Sequence, residues 1–284
     1  MITFSRLGRH GRLGNQLFQY AALRSLSLEK GYECRIPDPQ QMHWHGQNCL
    51  LGNFNIEASY LEESDYNKIK FTYIENNLNK FDKNFFYLGD GVDLFGYFQS
   101  TKYFNKYKEQ IIKELTPRDE LLEEAKEFVE SNRVDNCEIV SIHLRMGDLN
   151  DGTNPVYNNF YGNSITDKST AYGSYLNKAL EVFKGRNVKF LVFAGGSRSN
   201  AMENPSFMKD FDDRFVLCSS DRPLLDFSKI LSCDHNICCH LTTFGWWAAY
   251  LNPNKEKIVT IPKDYFWNKS IQRDSFLPQD WRMF

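Results

Sequence analysis

The chain has 284 residues, 42% of them hydrophobic and 25% charged, with a formal net charge of −2. This is an ordinary globular composition, long enough for two domains with separate cores. It excludes a basic field built for nucleic acid, and no apolar run approaches the ~20 residues needed to cross a bilayer.

Met1-Ile2-Thr3-Phe4 leads directly into a structured-looking segment and reads as neither signal peptide nor anchor. Seven cysteines (Cys34, Cys49, Cys137, Cys218, Cys233, Cys238 and Cys239) are scattered and form no disulfide framework, so a cytoplasmic location is expected. Peripheral membrane association stays open.

Residues 1–7 read as a short strand, followed by a glycine-rich turn, Gly8-Arg9-His10-Gly11-Arg12-Leu13-Gly14. Asn15 opens a helix that runs to about Lys30 and stops at Gly31. Residues 32–36 read as a strand ended by Pro37. Residues 38–115 show few clear periods, and short helices with long loops are expected there. Thr116-Pro117-Arg118-Asp119 has the form of a helix start, with a capping threonine and a first-turn proline.

From residue 138 the pattern sharpens. Strands are expected at 138–144, 188–194, 234–239 and 257–261, and helices at 172–184, 223–232 and from Thr243 to before Pro253. Residues 150–171 form a polar loop, and loops of that length inside a domain are often functional. Alternating α and β with apolar strands argues for an α/β protein with parallel sheets covered on both faces. We expect two domains facing a cleft, 1–134 and 135–284.

Ligands in such folds bind at the carboxyl ends of strands. Three segments sit there. Gly8–Gln16 places glycines before a helix N-terminus, where backbone approaches a ligand closely and an anion is favoured. Its spacing matches neither G-x-G-x-x-G nor a Walker loop, and a tight packing turn is the alternative. His143-Leu144-Arg145-Met146-Gly147-Asp148 ends a core strand; the arginine fork suits phosphate oxygens, or it pairs with Asp148 to pin the turn. Thr242-Thr243-Phe244-Gly245-Trp246-Trp247 offers hydroxyls and a helix N-terminus, with the tryptophans read as core. In Pro223-Leu224-Leu225-Asp226-Phe227 the acid serves either as a helix-dipole partner or as an acceptor for paired N–H donors.

No acidic motif is read as holding a nucleotide through a cation, and the His43-Trp44-His45 spacing with Cys34 or Cys49 matches no zinc motif, so no metal is expected. Cys233, Cys238 and Cys239 read as buried small hydrophobes.

Taken together, these segments resemble the α-1,2-fucosyltransferases of the GT11 family. Gly11-Arg12-Leu13-Gly14-Asn15-Gln16-Leu17-Phe18-Gln19-Tyr20-Ala21 resembles that family's N-terminal signature, His143–Asp148 its H-x-R-R-G-D motif, and Cys233 through Leu251 its C-terminal motif. Order and spacing agree over residues 6–262. There are departures: Met146 stands where the family has a second arginine, His240-Leu241 replaces a Ser-Asn, and Ala194-Gly195-Gly196 replaces a Ser-Asp-Asp.

The resemblance implies a GT-B-like fold of two Rossmann-like domains, with the acceptor side first and the donor in the C-terminal domain. It implies GDP-β-L-fucose as donor substrate, a glycan acceptor with O2 of a terminal β-galactoside favoured, inversion, and no cofactor or metal. On this resemblance Arg145 grips the diphosphate and His143 contacts the nucleotide. Thr242 and Thr243, with nearby backbone N–H groups, hold the β-phosphate, Asp226 reads guanine, and Gly14, Asn15, Gln16 and Phe244 join the donor-binding set. Asp148 is the general-base candidate. A non-catalytic sugar or nucleotide-sugar binding module is the competing expectation. A nucleotide-dependent oxidoreductase fits less, because it leaves the second and third segments unexplained.

Overall fold

The computed structural model describes residues 1–44, 47–76, 80–145, 166, 168–195, 208, 211–218, 220–240, 242–263 and 276–284, with only the backbone of residues 43, 44, 47, 48 and 195. The chain forms two compact units. The first comprises Met1–Arg118 and Ser270–Gln279; the second comprises Asp119–Lys269 and Asp280–Phe284.

In chain order the first unit contains β1 (Ile2–Thr3), α1 (Leu13–Lys30), β2 (Cys34–Ile36), a small antiparallel pair β3 (His43–Trp44) and β4 (Gln47–Asn48), β5 (Ser59–Tyr60), β6 (Phe71–Ile74), β7 (Val92–Phe95) and α2 (Lys108–Glu114). Its sheet is parallel, in the order β5-β2-β1-β7-β6. The expected strand over 1–7 is only two residues long, because the chain turns at Phe4–Leu7. Helix α1 begins at Leu13, two positions before Asn15, and ends as expected on Gly31, whose φ of 67° is left-handed. Its buried face includes Leu17, Phe18, Ala21 and Ala22.

The stretch 38–115 holds three strands of this sheet where loops and short helices were expected. Edge strand β6 leaves Phe71 and Ile74 exposed, so its sequence lacks the alternation of a half-buried strand. Thr116 does not cap the next helix. Its hydroxyl donates to the Ile112 carbonyl at 2.7 Å, and α3 (Asp119–Ser131) starts three residues on.

The second unit continues with β8 (Glu138–Arg145), α4 (Ala171–Glu181), β9 (Val188–Gly195), β10 (Phe215–Leu217), α5 (Pro223–Ser232), β11 (His235–Ile237), α6 (Thr243–Leu251), β12 (Val259–Ile261) and β13 (Arg282–Met283). The six strands run parallel in the order β10-β9-β8-β11-β12-β13. The short strands β10 and β13 were not read from the sequence. The main stretch of the first unit runs to Arg118, whereas the expected division is at 134; α3 packs against α5 within the second unit. There Arg222 forks onto Glu124, and the Lys229 ammonium lies 3.8 Å from the centre of the Phe128 ring.

A core of Val140, Ile142, Leu144, Tyr172, Leu176, Phe190 and Val192 lies between the sheet and α4. Trp246 and Trp247 of α6 are fully buried, as expected. In the first unit the buried Glu114 carboxylate accepts from the Tyr20 hydroxyl at 2.5 Å, from Arg24 Nε at 2.9 Å and from Gln110 at 2.7 Å, which ties α1 to α2. Removing one member of such a set strands its partners. We therefore expect Glu114→Ala to lower the unfolding free energy by about 3 kcal/mol, measured by urea denaturation.

Candidate functional site

The site in the second unit is built at the carboxyl ends of two neighbouring strands, β8 and β11. Strand β8 delivers His143 and Arg145 one after the other on the same side of the pleat. Strand β11 leads through Cys238, Cys239 and His240 into α6. Thr242 is the N-cap of that helix, its hydroxyl accepting from the Gly245 N–H, as its sequence position suggests. The helix N-terminus brings the positive end of its dipole to this edge of the sheet.

The two elements touch closely. A Cβ on Gly245 would lie 2.7 Å from His143 Nδ1, so only glycine admits the ring at this distance. The Phe244 ring sits 5.3 Å from the His143 ring, and Phe227 meets Phe244 edge-on at 5.2 Å. Arg145 N–H donates to Cys239 Sγ at 3.3 Å, while Cys238 Sγ donates to the Gly245 carbonyl at 3.6 Å. Adjacent thiols thus fasten the exit of β8 and the first turn of α6. Their burial is expected from the sequence; these bonds are not signalled there.

His143 is only 7% exposed, and its Nδ1 has no hydrogen-bond partner among the described residues. Burial, then the nearby Arg145 charge, push its pKa down to about 3 from 6.5. The imidazole is neutral at physiological pH. Arg145 is half-buried and brings a permanent charge to the same strand end.

Asp226 lies in the first turns of α5, one residue before Phe227. Its Oδ2 accepts from the Ser220 N–H at 2.9 Å and its Oδ1 from the Ser220 hydroxyl at 2.8 Å. Burial raises the pKa of this carboxyl; the Ser220 bonds and Lys229 oppose that shift. Ser220 was not singled out from the sequence, although a serine shortly before Pro223 is a helix-entry signal. The structure therefore brings His143, Arg145, Asp226, Thr242, Thr243 and Phe244 to one end of one sheet. Asp148 and Met146 lie outside the described residues.

Gly14, Asn15 and Gln16 belong to the first unit, inside the first turn of α1 rather than ahead of it. Gly8 and Gly11 have φ of 86° and 90°, the left-handed conformation that the turn demands. Gln16 is buried and donates to the Gly11 carbonyl at 3.0 Å, and Cys49 Sγ donates to its Oε1. Asn15 Oδ1 accepts from Gln99 at 2.9 Å. Gln16 thus holds the turn together. His10 stacks on Tyr97 with ring centres 4.5 Å apart. Cys34 is buried in the core, and the side chains of His43 and His45 lie outside the described residues.

Solved structures share the fold. Fucosyltransferase NodZ from Bradyrhizobium superposes with a TM-score of 0.51 at 12% identity, over 87% of this chain and 92% of that one. POFUT1 in complex with GDP gives 0.50 at 12% identity, over 88% and 93%. At such identities the likeness is one of fold, a GT-B-like fold of two α/β units. The family follows from the sequence. The model of Glycosyl transferase family 11 matches residues 5–283, and the chain belongs to that family. Its relatives include galactoside alpha-(1,2)-fucosyltransferase 2 of Rattus norvegicus, 29% identical over 98% of this chain and 75% of the relative, and that of Sus scrofa, 27% identical over 95% and 76%.

The neutral His143 has a measurable consequence. Its folded pKa lies below its unfolded value, so its contribution to stability is fully present above pH 6.5 and is lost as pH falls toward about 3. His143→Gln is expected to flatten the acid limb of the stability profile over that window, read from urea unfolding at stepped pH. Part of the limb will remain, because burial also lowers the pKa of His10 and His235.

Proposed function

We propose that this glycosyltransferase moves L-fucose from GDP-β-L-fucose to a sugar hydroxyl, O2 of a terminal β-galactoside, with inversion and without a metal. The observation that carries the reading is the junction of β8 and α6. There a strand ending in His143 and Arg145 meets a helix N-terminus capped by Thr242, in a chain of family 11. The relatives named galactoside alpha-(1,2)-fucosyltransferase 2 support the transferred sugar, the acceptor and the linkage.

The acceptor oxygen attacks C1 of fucose on the face opposite the nucleotide. The C1–O bond to the diphosphate breaks, GDP departs, and the hydroxyl proton passes to a base. Asp148 is the residue we assign to that role. Negative charge grows on the departing diphosphate, and fixed positive groups are worth most where charge develops. Arg145 and the α6 N-terminus, with Thr242, Thr243 and Phe244, supply them in place of a cation. His143, held neutral, gives the nucleotide a hydrogen-bonding partner without a second charge. Asp226 presents a carboxylate to the paired N–H donors of guanine.

In this reading the second unit binds the donor. Gly14, Asn15 and Gln16 lie in the first unit, where Gln16 braces the glycine turn. The seven buried thiols fit a reducing, cytoplasmic setting. Among the described residues no helix is long and apolar enough to cross a membrane.

Release of GDP from GDP-fucose in EDTA, with and without lactose, tests the reading directly. Release that depends on lactose is expected; no release and no GDP-fucose binding would overturn it. Arg145→Ala should lower kcat by about 10²–10³-fold, whereas a non-catalytic module would keep its sugar binding unchanged. The pH dependence follows from Asp226. A carboxyl whose pKa burial has raised protonates at a higher pH than usual and then stops accepting two donors. The KM for GDP-fucose should therefore rise on acidification with a midpoint above the ordinary 3.8.

A further inference from the structure

A carboxylate that reads guanine must offer two acceptors at once, in the plane of the base, to the neighbouring N1–H and exocyclic N2–H donors. Ionised, the group has about four lone-pair sites on its two oxygens. A free aspartate side chain spends little time in any one orientation, and fixing it on binding costs entropy. A buried one faces a second difficulty, since burial favours the neutral acid. Once protonated it carries an O–H donor toward a base edge that also donates, and the contact becomes repulsive.

Ser220 answers both requirements. Its backbone N–H donates to Asp226 Oδ2 at 2.9 Å and its hydroxyl to Oδ1 at 2.8 Å. Each oxygen gives up one lone pair and keeps another. Two donors on two different oxygens fix the carboxylate plane, and both bonds favour the ionised form against desolvation. Ser220 is itself held: its Oγ accepts from the Arg222 N–H at 3.1 Å, ahead of Pro223 and the start of α5. The Arg222 guanidinium is forked onto Glu124 of α3. The turn that carries the two donors is thus pinned from both sides before any ligand arrives.

We infer that Ser220 is a positioning residue that makes Asp226 selective for guanine, orienting its carboxylate for the N1–H and N2–H edge of the base. This rests on the reading of Asp226 as the guanine acceptor. The two bonds do more than staple a turn: they set how strongly the protein prefers a guanine diphosphate over one that lacks the exocyclic amine.

The test compares inhibition of transfer by GDP and by IDP, which lacks that amine, together with KM and kcat for GDP-fucose. Wild type should bind GDP about tenfold or more tightly than IDP. Ser220→Ala should raise the GDP-fucose KM by about 3–10-fold, leave kcat within about twofold, and shrink the GDP/IDP preference. Ser220→Thr keeps the hydroxyl and should restore all three. If Ser220→Ala does not fold, Ser220→Cys, a weaker donor of similar size, should give an intermediate preference. An unchanged GDP/IDP ratio in Ser220→Ala or Ser220→Cys, or a loss of thermal stability with KM unmoved, would overturn the inference. Asp226→Asn separates the two claims. If that variant keeps wild-type GDP affinity, the assignment of Asp226 to guanine fails. If it loses affinity while Ser220→Ala behaves as wild type, only the role of Ser220 fails.

Discussion

The second unit depends on one buried amide. Asn236 lies in the middle of β11, almost wholly shielded from water, and a polar side chain there must find partners. Its Nδ2 donates to Ser141 Oγ of β8 and to the Ile230 carbonyl near the end of α5, both at 2.8 Å. Its Oδ1 accepts from Asn252, just past α6, and Asn252 also donates to the Cys233 carbonyl. One residue therefore fixes the strand that carries His143 and Arg145, the helix that carries Asp226, and the helix that Thr242 caps. Apolar packing alone would let these elements slide by fractions of an ångström; a satisfied polar network inside a core allows one arrangement.

With that frame fixed, the electrostatics of the site follow from burial. A histidine inside a sheet cannot hold a proton cheaply, so His143 is neutral, and the charge at the strand end is left to Arg145. A carboxylate inside the same unit keeps its charge only with hydrogen-bond donors on it, which Ser220 supplies. The helix N-terminus adds a partial positive charge that no change of pH removes. The charges of the site are thus mostly fixed in advance.

Much of this was legible in the sequence. Long apolar strands such as β8 and β9 announce themselves because both of their faces are buried. The three motifs were visible as strand ends and helix starts, and Thr242 could be read as a cap from its position alone. What escaped had physical reasons. Strands β5 and β6 lie at sheet edges with much of their surface in solvent, so their composition resembles that of loops. Strand β13 pairs with β12 from more than twenty residues away, through a segment with no periodicity. Asn236 and Ser220 are residue types usually found in water, and nothing local marks them as partners of groups elsewhere in the fold. Thr116 looked like a cap, yet its hydroxyl was already committed to the preceding helix.

The path of the chain has a consequence for how such a protein can change. After β12 it leaves the second unit, gives residues 270–279 to the first, where Phe276 stacks on Phe18, and returns to add β13 to the second sheet. Neither unit is a continuous stretch of gene. A single recombination near codon 118 would leave the second unit whole but give the first a 270–279 segment, and a Phe276, evolved against a different Phe18. Exchange of whole units between relatives is therefore disfavoured at the genetic level. Variation in this lineage should then arise by point substitution and loop insertion, with the two halves inherited together.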